Sequence, residues 1–279
     1  MSAESAADTE LVDIAAQRTS LRASVLDVIS YRQLLKHLVL KDLKLKYRGS
    51  VLGFIWSLLN PLVMLIVYTV AFKYIMGMRG SGFVFLLMVG ILAWTFFGGA
   101  VSMSAGSIVD NGGLLKTIFF PRAVLPVATV LFNLSQFLLT AAVFLPLLMV
   151  LYRRPPTPPA LLFPVFVSLQ VLMTIGIALA IATGTAFFRD LRHLLEIALA
   201  VMFWTTPIIY DFRTISALWQ WPVLLSPLSS FVLAYQDILF YGVWPAPRIW
   251  IVAITYTAAA LVGGGLLFTR FQDEFAERV

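Results

Sequence analysis

Cysteine is absent from the 279 residues, and charged residues make up only 12% of them. The first absence excludes disulfides, thiolate metal sites and thiol catalysis. The second, set against 60% hydrophobic residues and a mean hydropathy of +0.91, excludes a soluble globular domain of this length. Histidine is almost missing too, with only His37 and His193. No Gly-x-x-x-x-Gly-Lys-Ser/Thr loop occurs, so the chain has no cradle for nucleotide phosphates. The centres of the long apolar runs hold no charge, and proton- or ion-coupled transport needs a titratable or ion-ligating group at mid-membrane.

What is there is a series of uncharged runs, 49–72, 80–109, 123–152, 155–188, 197–210, 214–236 and 249–269. An apolar run of roughly 20 residues crosses a bilayer, so the chain is expected to be a polytopic, all-α membrane protein. The run 197–210 is short, and extending it past Glu196 and Asp211 makes it span five. The run 214–236 contains Pro222, Pro227, Gln220 and two tryptophans and reads as re-entrant or interfacial half-helices. Six full spans with a cytoplasmic start place 14 of the 20 Lys and Arg residues inside, the bias that orients membrane proteins. Lys73, Arg79, Arg153, Arg154, Arg213 and Arg248 fall outside, and the adjacent Arg153 and Arg154 fit that orientation least well. Residues 1–30 are polar, lack an apolar core behind a basic start, and read as a cytoplasmic tail rather than a cleavable signal.

Residues 31–48 form an amphipathic helix. Tyr31, Leu34, Leu35, Leu38 and Leu45 share one side, while Arg32, Lys36, Lys41, Lys44, Lys46 and Arg48 with Asp42 leave a charge of +5. Such a helix can lie on anionic lipid or meet a pyrophosphate head group, and Tyr47 belongs to the same segment. Between spans two and three, residues 107–122 put Asp110, Asn111, Leu114, Leu115, Lys116, Phe119, Phe120 and Arg122 in a loop expected to face water, and an exposed apolar patch marks a docking surface.

Small and polar residues form stripes on three spans. Gly53, Ser57, Asn60, Met64 and Ala71 fall within about 60° at helical spacing, and so do Thr95, Gly99, Ser102 and Gly106, and Thr129, Asn133, Gln136 and Thr140. Stripes of this kind suit close helix packing, or the face of a channel or dimer. The aromatic groups around Trp94 and Phe97, around Phe203, Trp204 and Tyr210, and around Trp219, Trp221, Phe231 and Tyr235 suit an interfacial belt, or a wall on which sugar rings stack. Ser57, Asn60, Tyr68, Trp94, Phe97, Asn133, Trp204 and Tyr210 are the channel-lining candidates.

From about Tyr31 to its C-terminus the chain resembles the ABC-2 type permeases that export lipid-linked polysaccharides such as O-antigen, capsule and teichoic acid. The matching stretches are 41–48 with 50–53 and 56–61, then 114–116 with Phe120, Pro121, Arg122, Leu125 and Pro126, then 188–193 leading to 207–210. Their order and spacing carry the resemblance. It implies a homodimer of six-span subunits in a bacterial inner membrane, with both termini cytoplasmic. It also implies two copies of a separate ATPase that hold ATP and Mg, no cofactor or metal on this chain, and no nucleic acid. By resemblance, 31–48 is the interface helix, 107–122 the loop that receives the ATPase, and 214–241 the outer gate helices. Thr117 and Ala123 stand where many members carry a basic and an acidic residue. Leu233 and Gln236 replace a Glu and an Arg common in other branches, which removes those partners from an outer-gate ion pair. A permease for a drug or small lipid is the alternative within the class. A membrane-embedded glycosyl or acyl transferase built on His37 or His193, with Asp42, Asp190 and Glu196 nearby in sequence, is the alternative outside it.

Overall fold

The computed structural model describes residues 28, 30–53, 55–77, 82–117 and 120–275, with the backbone alone for 115–117. Most of the expected N-terminal tail, Arg79, Phe119 and Arg278 lie outside these residues, as do the side chains of Leu115 and Lys116. Regular structure among the described residues is entirely helical.

α1 (Arg32–Tyr47) precedes α2 (Ile55–Tyr68), whose last turns widen into a π-helical segment, Thr69–Ile75. Then come α3 (Phe83–Ser104), the short α4 (Gly112–Thr117) and α5 (Val124–Leu151). α6 (Phe163–Phe187) is entered through the 3-10 turn Pro158–Leu162, and α7 (Leu191–Thr205) follows. α8 (Ala217–Leu224) and α9 (Ser229–Gln236) lead through a π-helical turn, Asp237–Tyr241, to α10 (Pro247–Phe271). Pro247 opens α10 at a position where its missing N–H costs nothing.

Five of these helices are long and apolar enough to cross a membrane: α2 with its extension, α3, α5, α6 with its entry turn, and α10. α3 is the most enclosed of them, with Phe85, Leu87, Met88, Ile91, Ala93 and Ala100 fully buried, and it forms the axis of the bundle. Its ends give the molecule two poles. The first turn of α3 meets Phe240, with Phe85 and Phe240 rings 5.4 Å apart. Its last turn leads to Asp110, which pairs with Arg192 at 3.5 Å.

These poles decide what α7 does. Fifteen residues make a helix of about 22 Å, short of the ~30 Å hydrocarbon core. The sequence suggests a helix reaching Tyr210, but it stops at Thr205, because Pro207 disfavours helical backbone at Thr206, whose ψ is 136°. The chain continues without helix to Asp211, which accepts a hydrogen bond from Tyr241 at 3.0 Å. Arg192 is thus held at one pole and Asp211 at the other, so the run 191–211 traverses the bundle although its helix alone would not.

The bent pair α8 and α9 behaves differently. Its two arms diverge by 115° at Pro227, and Arg213 before the first arm donates to Asp237 after the second at 2.7 Å. The chain thus enters and leaves this pair near one pole. The bend reaches inward, where Tyr256 donates to the Leu225 carbonyl at 2.8 Å. Tyr256 lies nine residues into α10, so the bend sits about 14 Å below the pole.

At the opposite pole Leu38, Ile108, Phe120, Val124, Ala186, Phe268 and Phe275 form one apolar cluster. It joins α1 to the end of α10, so the described chain starts and finishes on the same side. The tightest helix pair is α6 with α10. A Cβ at Gly176 would overlap the backbone of Ala260 and Leu261, and one at Gly264 would overlap the Gly176 carbonyl. Thr257 donates to the Leu169 carbonyl at 3.2 Å across the same seam. Lipid tails are as apolar as leucine, so close backbone approach and such bonds hold helices together where the hydrophobic effect does not.

Candidate functional site

The three polar stripes converge. Ser57 and Asn60 of α2, Thr95 and Gly99 of α3, and Asn133, Gln136 and Thr140 of α5 line one groove of about 610 Å³, with Trp56 and Lys46 at its mouth. Gly99 gives the Asn133 carboxamide its space, since a Cβ there would press on Asn133 Oδ1. Asn133 Nδ2 donates to the Thr129 carbonyl at 2.9 Å, and Thr140 donates to that of Gln136 at 2.8 Å. Apart from Lys46 the lining carries no charge.

A polar knot closes the mouth. Gln136 Oε1 accepts from Lys46 Nζ at 3.3 Å and lies within hydrogen-bonding distance of Tyr47 Oη, at 2.6 Å, and of the Ser57 hydroxyl; those two hydroxyls also approach each other and share two protons among the three contacts. The knot ties the end of α1 to α2 and α5. Lys46 Nζ stands 5.6 Å from the centre of the Phe132 ring, and its partial burial lowers its pKa from the usual lysine value. α1 therefore packs on the start of α5 and does not lie free. Leu38 is buried and Leu34, Leu35 and Val39 pack beside it, while Tyr31 and Leu45 stay exposed. Arg32, Lys36, Lys41, Lys44 and Arg48 are solvent-facing. Removing the knot's central hydroxyl with Tyr47→Phe is expected to cost about 1 kcal/mol, a fall of about 2–4 °C in Tm, read by thermal unfolding in nanodiscs.

The remaining candidates fall in three places. Tyr68, Trp94 and Trp204 surround Phe203, with Tyr68 and Trp94 at ring distances of 5.7 and 5.2 Å and Trp204 at 5.6 Å, outside the groove. Phe97 is 1% exposed and packs in the core beside Trp94. Tyr210 bonds the Thr205 carbonyl at 2.7 Å in the chain leaving α7. In the loop 107–122, Asp110 pairs with Arg192 and Asn111 donates to the Ser107 carbonyl at 2.9 Å. Arg122 faces Asp273 at 3.9 Å. Leu114 packs on the apolar cluster and Phe120, expected to face water, is 6% exposed within it. The physical reason is that α1 and the end of α10 fold over this loop and give its apolar residues an interior. Phe119 lies outside the described residues. His37 sits on α1 and His193 on α7. Among the described residues no three of His, Asp and Glu come together as a metal site would require.

At the other pole an ion pair does exist, although the Glu and Arg of other branches are replaced. Leu233 is buried and Gln236 Nε2 donates to the Pro207 carbonyl at 3.1 Å. The charges come from the next residue and from outside the helix, as Asp237 and Arg213, with the Arg213 guanidinium 3.5 Å from the Tyr241 ring centre. Arg154, poorly placed by the charge bias, has structural work here. It donates to the Phe240 carbonyl at 2.7 Å and stacks 4.1 Å from that ring. Arg154→Ala should cost about 1 kcal/mol, read as a Tm shift of about 2–4 °C against Arg153→Ala as control.

Pattern reading missed Gln170. It is fully buried in α6, donates to the Ala93 carbonyl at 3.1 Å and accepts from Tyr235 Oη at 2.7 Å. The signal was present, since Gln170 is the lone carboxamide in the run 155–188.

Fold and groove together define a class: a multi-pass helical membrane protein with a cleft between its spans that mixes polar and apolar side chains with one lysine, and a sharply bent helix pair toward one pole. Residues 33–240 match the family described as ABC-2 type transporter. The chain is similar to the O-antigen export system permease protein RfbA of Myxococcus xanthus, 34% identical over 91% of this chain and 98% of that protein. It is also similar to the protein of the same name from Klebsiella pneumoniae, 32% identical over 85% and 91%. More distantly it matches the polysialic acid transport protein KpsM of Escherichia coli, 25% identical over 74% and 80%. The chain belongs to the ABC-2 type transporter family.

Proposed function

We propose that this chain is the membrane-spanning permease subunit of an ATP-driven exporter of a cell-surface polysaccharide of the O-antigen or capsule kind. The observation that carries the reading is its likeness to an O-antigen export permease along nearly the whole of both chains. The groove is consistent with it, because hydroxyl and carboxamide side chains exchange hydrogen bonds with sugar hydroxyls without the cost of a buried charge.

The finer features belong to the same proposal. Six spans, from α2, α3, α5, α6, the run 191–211 and α10, enclose the path in a homodimer of the bacterial inner membrane. The pole holding α1 and its +5 charge is cytoplasmic, with both termini, and the pole holding α8 and α9 is external. A polyprenyl-pyrophosphate-linked glycan presents its anionic head group to Lys41, Lys44, Lys46 and Arg48. A separate cytoplasmic ATPase, in two copies, binds ATP and Mg and docks at the loop around α4.

The test is co-expression with ATPase subunits encoded beside this chain, followed by ATP hydrolysis in nanodiscs with and without lipid-linked polysaccharide. Hydrolysis rises with the glycan, and deleting residues 114–120 abolishes that rise. A stable complex whose hydrolysis ignores every glycan would replace the polysaccharide reading with a drug or small-lipid permease.

A further inference from the structure

α7, like α2, is a thinly covered segment of the bundle. Only Leu195 and Phe203 of its fifteen residues are buried, while Leu194, Ile197, Val201 and Trp204 are exposed along its length. Yet both of its ends are pinned by polar contacts. At the α1 pole, Arg192 reaches Asp110 at 3.5 Å across the bare backbone of Gly106, where a Cβ would strike both side chains. At its other end, well below the far pole, the Thr206 hydroxyl is 2.8 Å from that of Ser226 in the bend, and Pro207 accepts from Gln236 of α9. Arg213 then holds Asp237. Between them, Leu195 is buried, Leu199 and Met202 are half-buried against the core, and the Phe203 ring meets the Tyr68 ring of α2 and the Trp94 ring of α3. A segment fastened at its ends and loosely held between them moves as a rod, because few packed contacts resist its displacement.

We propose that Arg192 is a positioning residue that makes α7 the connecting rod between the Asp110 loop and the bent pair, so that movement of the loop is delivered to the far pole. This rests on the export reading, in which the Asp110 loop is the part the ATPase moves. The rod answers how a displacement at one face changes the seal at the other without a continuous channel of charged groups. The Asp110–Arg192 pair is solvent-accessible, so it adds little to stability and its loss leaves the fold intact.

The experiment uses the full chain with its partner ATPase in proteoliposomes, with lipid-linked polysaccharide extracted from the source cells as probe. It reads complex recovery, ATP hydrolysis, and polysaccharide moved per ATP. Arg192→Ala is expected to lower polysaccharide moved per ATP about fivefold to tenfold while hydrolysis stays within about twofold. Arg192→Lys restores most of the yield, and so does the exchanged pair Asp110→Arg with Arg192→Asp. A merely structural role would lower recovery and hydrolysis together and would gain nothing from the exchange. Wild-type yield per ATP in Arg192→Ala, or an exchanged pair no better than Arg192→Ala, overturns the rod. Absence of polysaccharide movement by the wild-type complex, with hydrolysis present, overturns the export reading itself.

Discussion

Gly264→Val yields little folded protein, because the added side chain enters the seam between α6 and α10 where the obstacle is the Gly176 carbonyl and not a movable side chain. Backbone cannot rotate away, so the helices must part, and the Thr257 bond to Leu169 goes with them. Overpacking and the lost bond together cost about 3 kcal/mol, a fall of about 6–12 °C in Tm. Gly176→Val, whose Cβ meets Ala260 and Leu261, behaves alike. The neighbouring Gly263 supplies a control of opposite sign. Nothing lies within 4 Å of a Cβ there, so Gly263→Ala gains helix propensity and leaves Tm unchanged or higher. Thermal unfolding of the three variants in one detergent decides it. Equal behaviour of Gly263 and Gly264 variants would mean that the seam is not tight.

Gln170→Leu is expected to be nearly as damaging for a different reason. The carboxamide bridges α3 and α9 from within α6, and its loss leaves the Tyr235 hydroxyl buried without its acceptor. An orphaned polar group in a dry core costs about 1–3 kcal/mol. Tyr235→Phe, which orphans only Gln170 Oε1, costs less. The two variants combined should cost clearly less than their sum, because removing both partners leaves no orphan. A double-mutant cycle on thermal stability measures this coupling. Strict additivity would show that the hydrogen bond does not hold α9 to the bundle. Since Tyr235 lies on the second arm of the bent pair, the same variants should increase protease cleavage between residues 211 and 248.

Much of this architecture was legible before the structure. Uncharged runs located the spans because crossing a bilayer needs length and apolarity, which are local properties. Pro227 marked the bend between α8 and α9, whereas Pro222, like Pro61 and Pro146, is accommodated within its helix. The stripes on α2, α3 and α5 were visible as faces suited to close packing or to a channel or dimer, but that parts of all three line one groove emerges only from the fold. What escaped were partners far apart in sequence. Gln170 bonds residues 77 and 65 positions away, and Arg154 caps a carbonyl 86 positions on. No periodicity encodes such pairs. Phe120 was misplaced for the same reason, since its loop reads as exposed until α1 and α10 are folded over it. The Arg213–Asp237 pair shows the limit of comparison by position, because the same pole is fastened by charges at other sites.

The bend between α8 and α9 has a consequence for how the chain is made. The hydroxyl that serves its carbonyls at Leu224 and Leu225 belongs to Tyr256 of α10, more than thirty residues later in translation. Until α10 has left the ribosome and entered the bilayer, the bent pair lacks that donor, and unserved carbonyls are expensive in hydrocarbon. The bend therefore gains that partner only when the last helix arrives. Insertion of α10 becomes the step that completes this pole of the molecule, and a ribosome stalled before Tyr256 would leave the Leu224 and Leu225 carbonyls without their donor.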